Sequence, residues 1–297
     1  MIELGRLRAL CAVASHGTVT AAAAALHCTP SAVSQHLGKL ERETGTVLVE
    51  KDGRGLRLTS AGRVLVEHAT RALTAVEEAE AALAAHHGVV AGNLTIASFP
   101  TACRGLVPGV LTRLAVDHPT LSTGLIEADR DTMIEALRRG TVDVAVLDEW
   151  PELPVTFPPE LEHEVLGHDV ADLVVPAGHP LAAGTGPVAL ADIQHERWIG
   201  STPGTVCHEW LVRVLPRARP NLLVAEFETQ LTLVAAGLGV ALVPRLARTA
   251  LPPGTVAREV APQASRRVLV ATRRASARRP AVAAAIAALH KTWAARP

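Results

Sequence analysis

The chain has 297 residues, 48% apolar and 20% charged, which is apolar enough for an ordinary core, too apolar for disorder, and long enough for two modest domains and a connector. Its net charge of zero is unevenly spread: residues 1–60 hold seven basic and five acidic groups (+2), 91–260 hold twelve and twenty (−8), and 261–297 hold eight and none (+8), so any contact with nucleic acid has to come from a local patch. Cysteines 11, 28, 103 and 207 make neither a close-spaced zinc pattern nor a disulfide framework, and Met1 is followed by Glu3, Arg6 and Arg8 rather than an apolar signal core; a reducing cytoplasm is expected, without secretion or membrane spanning.

From the N-terminus, Leu7, Leu10, Cys11 and Ala14 fall on one face of a first helix that His16-Gly17 ends. Thr18 can cap a second, almost purely alanine, from Thr20 to Leu26. His27-Cys28 gives a tight turn, and Thr29-Pro30 supplies an N-cap with proline at the first helical position. In the third helix Val33, Leu37 and Leu40 repeat at i, i+4, i+7 as a buried stripe. Ser31, Ser34, Gln35, His36 and Lys39 lie off that stripe and can hydrogen-bond bases and phosphates. Two short helices about a tight turn, the first small enough for the second to pack close across it, form a helix-turn-helix, whose second helix enters the major groove of DNA. Val47–Val49, the turn Lys51-Asp52-Gly53-Arg54-Gly55 and Leu56–Leu58 then read as a wing with cations near its tip. Singly, each piece is an ordinary solvated surface; their order and spacing carry the DNA-binding reading.

Residues 21–62, AAAAALHCTPSAVSQHLGKLERETGTVLVEKDGRGLRLTSAG, resemble the winged helix-turn-helix of the LysR-type transcriptional regulators. The shared pattern is an Ala-rich helix, a Ser/Thr-started helix containing Ala-Val-Ser, a Leu-Glu pair, a wing ending in Gly-x-Arg, and Leu-Thr-x-Ala-Gly. The chain departs at Leu48-Val49-Glu50-Lys51, where the family has Leu-Phe-x-Arg, losing an aromatic anchor and exchanging a forked guanidinium for a point charge. The resemblance implies base reading by Ser31, Ser34, Gln35 and His36 in successive major grooves of a pseudo-palindromic operator, with Thr29, Lys39, Arg54 and Arg57 on phosphates or in the minor groove.

A long helix is expected from Thr59 to about His87, with Leu65, His68, Ala72, Val76, Ala79, Leu83 and His86 spaced close to a heptad seam. Such a helix needs a partner for its apolar stripe: a second copy of the chain, as the resemblance implies, or the core of its own domain. Gly88-Val89-Val90-Ala91-Gly92 ends it in a hinge.

The rest alternates strand and helix. Strands are expected at Leu94–Ala97, Leu121–Glu127 and Val142–Leu147, with helices at Thr101–Asp117 and Asp131–Gly140; after the Pro-rich turn at Pro151–Pro159 the series restarts with a strand at Asp172–Val175. A helix near Leu190–Gln194, a strand at Trp198–Gly200, a helix at 205–215, a strand at Leu222–Phe227, a helix at Thr229–Gly237, and strands at Val240–Val243 and Arg267–Thr272 follow. Two parallel α/β units joined mid-chain and near the C-terminus suit two lobes with a cleft between them. Gly140–Val146, Pro176–Ala182 and Val234–Pro244 also resemble the LysR-type effector domain, which is similar to periplasmic binding proteins. The expected organisation is an all-α winged helix-turn-helix at 1–58, a dimerisation helix at 59–88, a hinge at 89–93, and an effector domain of two doubly wound α/β lobes at 94–297, lobe I being 94–163 with 267–297 and lobe II 164–266.

A ligand between such lobes meets strand C-termini and helix N-termini, which favour anions. Three segments fit: Ser98, Phe99 and Thr101; Ser201, Thr202 and Thr205; and Phe227, Glu228 and Thr229. Each hydroxyl could equally just cap a helix, and Glu228, if it points inward, would favour a cationic or hydroxyl-bearing effector. Cys103, Cys207 and His208 suggest a thiol sensor or metal site but lack a resolving partner or enough ligands, and nothing resembles a nucleophile elbow or a phosphate loop. The expected protein is therefore a regulator, not an enzyme, with no cofactor or metal. Its partners are double-stranded DNA, a small effector and its own copies in dimers and tetramers, with RNA polymerase a further partner left open and no membrane. A solute-binding module and a metabolic enzyme carrying a helical domain are the competing classes.

Overall fold

The computed structural model describes every residue except 1, 27, 54, 87–89, 152, 249 and 297, and only the backbone at 77, 78, 81 and 84–86. The chain divides into two units, Met1–His87 and Gly88–Pro297.

In the first unit α1 (Leu4–His16) ends where Gly17 turns left-handed at φ 69°, a conformation that side chains rarely adopt. The Ala21 N–H then donates to Thr18 Oγ1 at 3.1 Å and opens α2 (Val19–Ala25). The Ala32 N–H donates to Thr29 Oγ1 at 3.2 Å, and Pro30 opens α3 (Pro30–Thr44). Val33, Leu37 and Leu40 are buried with Leu7, Leu10 and Val13, and the methyls of Ala22 and Ala23 leave room for α3 to close in. The wing is the antiparallel pair β1 (Val49–Asp52) and β2 (Gly55–Leu58). Glu41 of α3 fixes its entry, accepting the N–H groups of Leu48 at 2.8 Å and Val49 at 3.2 Å, and the Leu56 N–H donates to Gly17 O at 2.8 Å. Thr59 Oγ1 accepts the Gly62 N–H at 3.0 Å where α4 (Ser60–His86) begins. A Cβ at Gly62 would stand 2.1 Å from Leu48 O, so the Ala-Gly of the motif is a steric requirement.

Leu65, Val66, Ala69 and Leu73 of α4 pack on the core of this unit. Of the expected seam, Leu65 joins that core, Val76 is half-buried, and His68, Ala72, Ala79 and Leu83 are exposed, Leu83 at 66%. The side chain of His86 lies outside the described residues.

The second unit opens with β3 (Gly92–Ser98), α5 (Pro100–Gly105), α6 (Val107–Asp117), β4 (Leu121–Glu127), α7 (Arg130–Arg139) and β5 (Val144–Glu149), with β4 and β5 parallel to β3. The single helix expected over 101–117 is broken at Leu106, because Pro108 in the first turn of α6 has no N–H to continue a ladder from α5. Then come β6 (Leu161–Pro176), β7 (Val188–Ala189), β8 (Ile199–Ser201), α8 (Val206–Val214), β9 (Leu222–Val224), α9 (Phe227–Ala235), β10 (Ala241–Pro244), β11 (Thr255–Arg258), β12 (Val260–Ala261), β13 (Ala264–Arg273) and α10 (Pro280–Ala294). The helix expected near 190–194 is a run of turns, too short to repay helix nucleation. Phe227 belongs to the first turn of α9 rather than to the preceding strand, and α10 has no counterpart among the expected elements.

The main sheet runs β10-β6-β13-β5-β3-β4, with β11 also on β6. It is mixed where parallel units were expected, since β13 is antiparallel to β5 and β6, and β6 is antiparallel to β10 and β11. The strand β6 pairs with β13 over its first part and with β10 and β11 over its second, so it leaves one core and enters another. One core gathers Ile96, Val146, Leu147, Val270 and Leu289; the others gather Trp150, Leu173, Trp198 and Trp210, and Val174, Ile199, Phe227 and Val243. The expected lobe boundaries, 163/164 and 266/267, fall inside β6 and β13.

Candidate functional site

On α3, Ser31, Ser34, Gln35 and Lys39 are exposed, as is the N-cap Thr29. None of the four helix side chains makes a hydrogen bond or ion pair within the described residues, so all are free to meet an outside partner. His36 departs from that pattern: it is half-buried by the start of α1 and its Nδ1 is enclosed without a partner, which leaves at most its other ring nitrogen for DNA. Arg57 is exposed but already paired within the wing, 2.7 Å from Glu50 and 3.8 Å from Asp52. Arg54 lies outside the described residues. Arg6 is buried and bonded to Glu43 and, at 2.6 Å, to Glu3, so this cation is occupied in joining α1 to the end of α3. Its hydrogen bond holds the Glu43 carboxyl below the usual carboxylate range.

In the second unit all three expected segments sit where a strand or loop delivers a helix N-terminus. Ser98 and Thr101 are buried on either side of the turn from β3 into α5. Ser98 Oγ has no partner among the described residues, whereas Thr101 Oγ1 accepts Arg266 Nη2 at 2.6 Å. The Phe99 ring lies 4.7 Å from the Arg266 guanidinium carbon. Ser201 is buried; its Oγ accepts Gln230 Nε2 at 3.2 Å and its carbonyl lies 2.9 Å from His208 Nδ1. Thr205 behaves as a cap, accepting the His208 N–H at 3.2 Å and donating to Thr202 O at 2.8 Å, with Thr202 half-buried. A partly open crevice of about 10 Å³, room for one water at most, is lined by Ser201, Cys207, Trp210, Phe227 and Gln230 among others.

Glu228 and Thr229 are exposed on the first turn of α9. Glu228 does not offer an inward carboxylate: it and Glu226, the latter at 2.9 Å, both hold Arg104 of α5. Phe227 packs into the core.

The centre of the site is a group that motif reading passed over. Arg266, 1% exposed, gives Nε and Nη2 to Asp169 Oδ2 at 3.0 and 2.9 Å and Nη1 to Asp148 Oδ2 at 3.2 Å. Trp150 stacks on Trp210 beside it, ring centroids 3.9 Å apart. The strand period held a signal: Ala264, Arg266 and Val268 alternate with Ser265 and Arg267, which puts Arg266 on the inward face.

All four cysteines are free. Burial, with the Asp148 charge next in weight, pushes the Cys207 thiol up to about 12, and burial raises Cys103 too, so both are protonated at neutral pH and neither is a ready thiolate. Among the described residues no cluster could hold a metal ion, and no helix is long and apolar enough to cross a membrane.

Residues 4–63 match the model of the bacterial regulatory helix-turn-helix proteins of the lysR family, and residues 87–294 match the LysR substrate binding domain. A probable HTH-type transcriptional regulator, LrrA, of Synechococcus elongatus is 31% identical over 86% of this chain and 85% of its own length. A probable hydrogen peroxide-inducible genes activator of Mycobacterium leprae is 31% identical over 92% of this chain and 88% of its own. A full-length OxyR of Pseudomonas aeruginosa shares the fold, with a TM-score of 0.77 at 22% identity, covering 100% of this chain and 99% of that one. Its helix-turn-helix, its substrate-binding domain and its relatives agree: this chain belongs to the LysR family and is a DNA-binding transcriptional regulator, not an enzyme.

Proposed function

We propose that the protein works in the cytoplasm as a one-component regulator that reads a pseudo-palindromic operator with α3 and answers to a small molecule bound between the two lobes. The observation that carries the first half is the bare row Ser31, Ser34, Gln35 and Lys39 above a buried stripe: polar groups left unpaired on a rigid helix are what base-edge readout needs. Ser31, Ser34 and Gln35 are the base readers, with His36 able to join them through one ring nitrogen. Thr29, Lys39, Arg54 and Arg57 hold backbone or minor groove. The exposed stripe Ala72, Ala79 and Leu83 of α4 supports pairing with a second copy, which sets the half-site spacing, and paired dimers would make the tetramer. An effector with different affinity for two lobe arrangements would change how those dimers space and bend DNA, and so what RNA polymerase meets.

Gel shifts with genomic fragments, run beside a thermal-shift screen of metabolites, test the whole reading. Retention of one fragment at nanomolar protein, altered by a compound that also raises the melting temperature, is the expected result. Ligand binding without DNA retention would instead indicate a solute-binding module. The peroxide response in the name of the Mycobacterium leprae relative is not carried over, because the half-buried Cys207 thiol here is held protonated; an unchanged gel shift after peroxide treatment is expected.

A further inference from the structure

At the end of β13 away from Arg266, α10 leaves part of the main sheet uncovered. An open cavity of about 470 Å³ lies there between α10 and the paired start of β6 and end of β13, within the size range of small-molecule sites. Thr272 stands six residues along β13 from Arg266, about 20 Å at the rise of a strand, so this cavity is separate from the cleft between the lobes. Its two walls differ in character. From α10 come Ala283, Ile286 and Ala287, which share one helix face at i, i+3, i+4, and Val270 of the sheet continues that apolar surface. From β6 come Glu162 and Glu164, two residues apart and therefore on one face of the strand, about 7 Å from each other along it. Neither acid is firmly held. Among the described residues Glu162 has only Arg274 Nη1, at 4.0 Å, and Glu164 has His290 Nε2 at 2.8 Å, a neighbour that carries charge only when protonated. His163, also on the wall, is stacked on Phe157. Thr272, paired with Glu162 in register, lines the same space. It is 2% exposed, and its hydroxyl reaches nothing better among the described residues than Arg273 O at 3.4 Å, too long for a good O–H bond. A buried hydroxyl with so poor a partner, lining a void between two loosely held acids and an apolar wall, points to a ligand that supplies donors.

We propose that this cavity is a second small-molecule site, and that it takes an organic cation, a primary ammonium carried on an apolar body. The three N–H donors of the ammonium match three acceptors, the carboxylates of Glu162 and Glu164 and the hydroxyl oxygen of Thr272. The body lies along Ala283, Ile286 and Ala287, where it loses water without burying a polar group. Arg274 and His290 are the internal competitors, and both side chains are exposed enough to turn aside into water. Each half of the ligand is needed. An anion is repelled by both acids, a bare ammonium ion gains nothing from the apolar wall, and a neutral alcohol gains little from the carboxylates. The site stands whether or not the cleft takes an effector, because none of its residues belongs to the cleft.

The test is isothermal titration calorimetry on the full-length protein, with n-hexylamine as the probe and hexanoate, 1-hexanol and ammonium chloride as controls. Hexylamine should bind saturably at one site per chain and, at ten times its dissociation constant, raise the melting temperature of the second unit by about 4 °C. The controls should bind at least about tenfold more weakly. Glu162→Gln and Glu164→Gln, at positions already in contact with water, should each weaken hexylamine by about tenfold, the loss of one charge-assisted hydrogen bond. Ala287→Leu fills the cavity from an exposed position of α10 and touches no charge, and it should weaken hexylamine at least as much. Melting curves of the three variants without ligand should match wild type, which keeps the binding readout clear of misfolding. No saturable binding of hexylamine, or binding of hexanol or hexanoate as strong as that of the amine, overturns the proposal. So does amine binding that all three variants leave unchanged, since the amine then sits elsewhere.

Discussion

The reading face of α3 and the cleft of the second unit are both polar, and they handle that polarity in opposite ways. Ser31, Ser34, Gln35 and Lys39 stand in water with no hydrogen bond or ion pair among the described residues, Lys39 feeling only the nearby charge of Glu43, so water satisfies them in the absence of DNA. Arg266, Thr101, Ser201 and Gln230 are buried, so the protein has to satisfy them itself and bonds them to one another and to Asp148 and Asp169. A large rigid partner can be met by an exposed row of groups. A small one has to enter a place that would otherwise be dry, and an empty dry site needs internal substitutes.

The contrast predicts that substitutions in the cleft cost stability and substitutions on the reading face cost only recognition. The largest effect is expected for Arg266→Gln, which leaves Asp148 and Asp169 buried against no cation. Breaking a buried pair from one side typically costs about 3–5 kcal/mol, on the order of 10 °C in melting for a unit of this size. Differential scanning calorimetry should show that loss confined to the transition of the second unit. A melting curve like that of wild type would mean that the acids are solvated and that the cleft is as wet as the reading face.

Next in size is Gly62→Ala in the scaffold of the reading unit. The added methyl meets Leu48 O, a backbone atom that cannot step aside without moving the wing, and overpacking of this kind costs about 1–3 kcal/mol. Amide exchange should quicken in α1 to α3 and the wing and stay unchanged in β3, β5 and β13. Uniform quickening across both units would show that the two do not unfold separately.

How much of this could be read in the sequence followed the same division. The helix-turn-helix was legible because its determinants are local: Thr29-Pro30 caps and starts α3 from adjacent positions, and Val33, Leu37 and Leu40 set its buried face by period alone. The segments Ser98–Thr101 and Ser201–Thr205 were legible as strand-to-helix turns for the same reason. What occupies the space between them was not, because Arg266 meets Asp169, Asp148 and Thr101 across separations of 97, 118 and 165 residues, and no local pattern pairs one arginine among 26 with two particular aspartates. The sense of β6 and β13 was hidden likewise, since direction is set by a partner strand far along the chain. The helix α10 had a period that was passed over: Val282, Ile286, Leu289 and Trp293 repeat at i, i+4, i+7 and i+11 and pack on the core, diluted by alanines that fall on both faces.

On the reading face itself, Gln35→Ala should lower the ratio of operator to random-DNA affinity by about tenfold, the roughly 1–3 kcal/mol of a lost base contact, with melting unchanged. An unchanged ratio in a titration against both DNAs would remove Gln35 from the readers.

The smallest effect is expected at the wing, where the two cations differ in a way that sharpens the comparison. Lys39 on α3 makes no ion pair among the described residues and feels Glu43 only at longer range, so it gains most of what a phosphate offers. Arg57 has to leave Glu50 at 2.7 Å and Asp52 before it can reach one, so its net gain is the difference between two anionic partners in water. Exposed pairs of this kind are worth about 0.2–1 kcal/mol, which makes that difference small. Lys39→Ala should therefore reduce affinity for operator and random DNA alike and lower the salt-dependence slope by about one, as loss of a phosphate contact does. Arg57→Ala should change the slope by less than half as much, because Glu50 and Asp52 already neutralise most of the charge that is lost. A salt titration of both variants decides the matter: if Arg57→Ala loses as much slope as Lys39→Ala, the wing pair opens on binding at no cost, and the wing belongs with the bare groups of α3 rather than with the internally satisfied ones of the cleft.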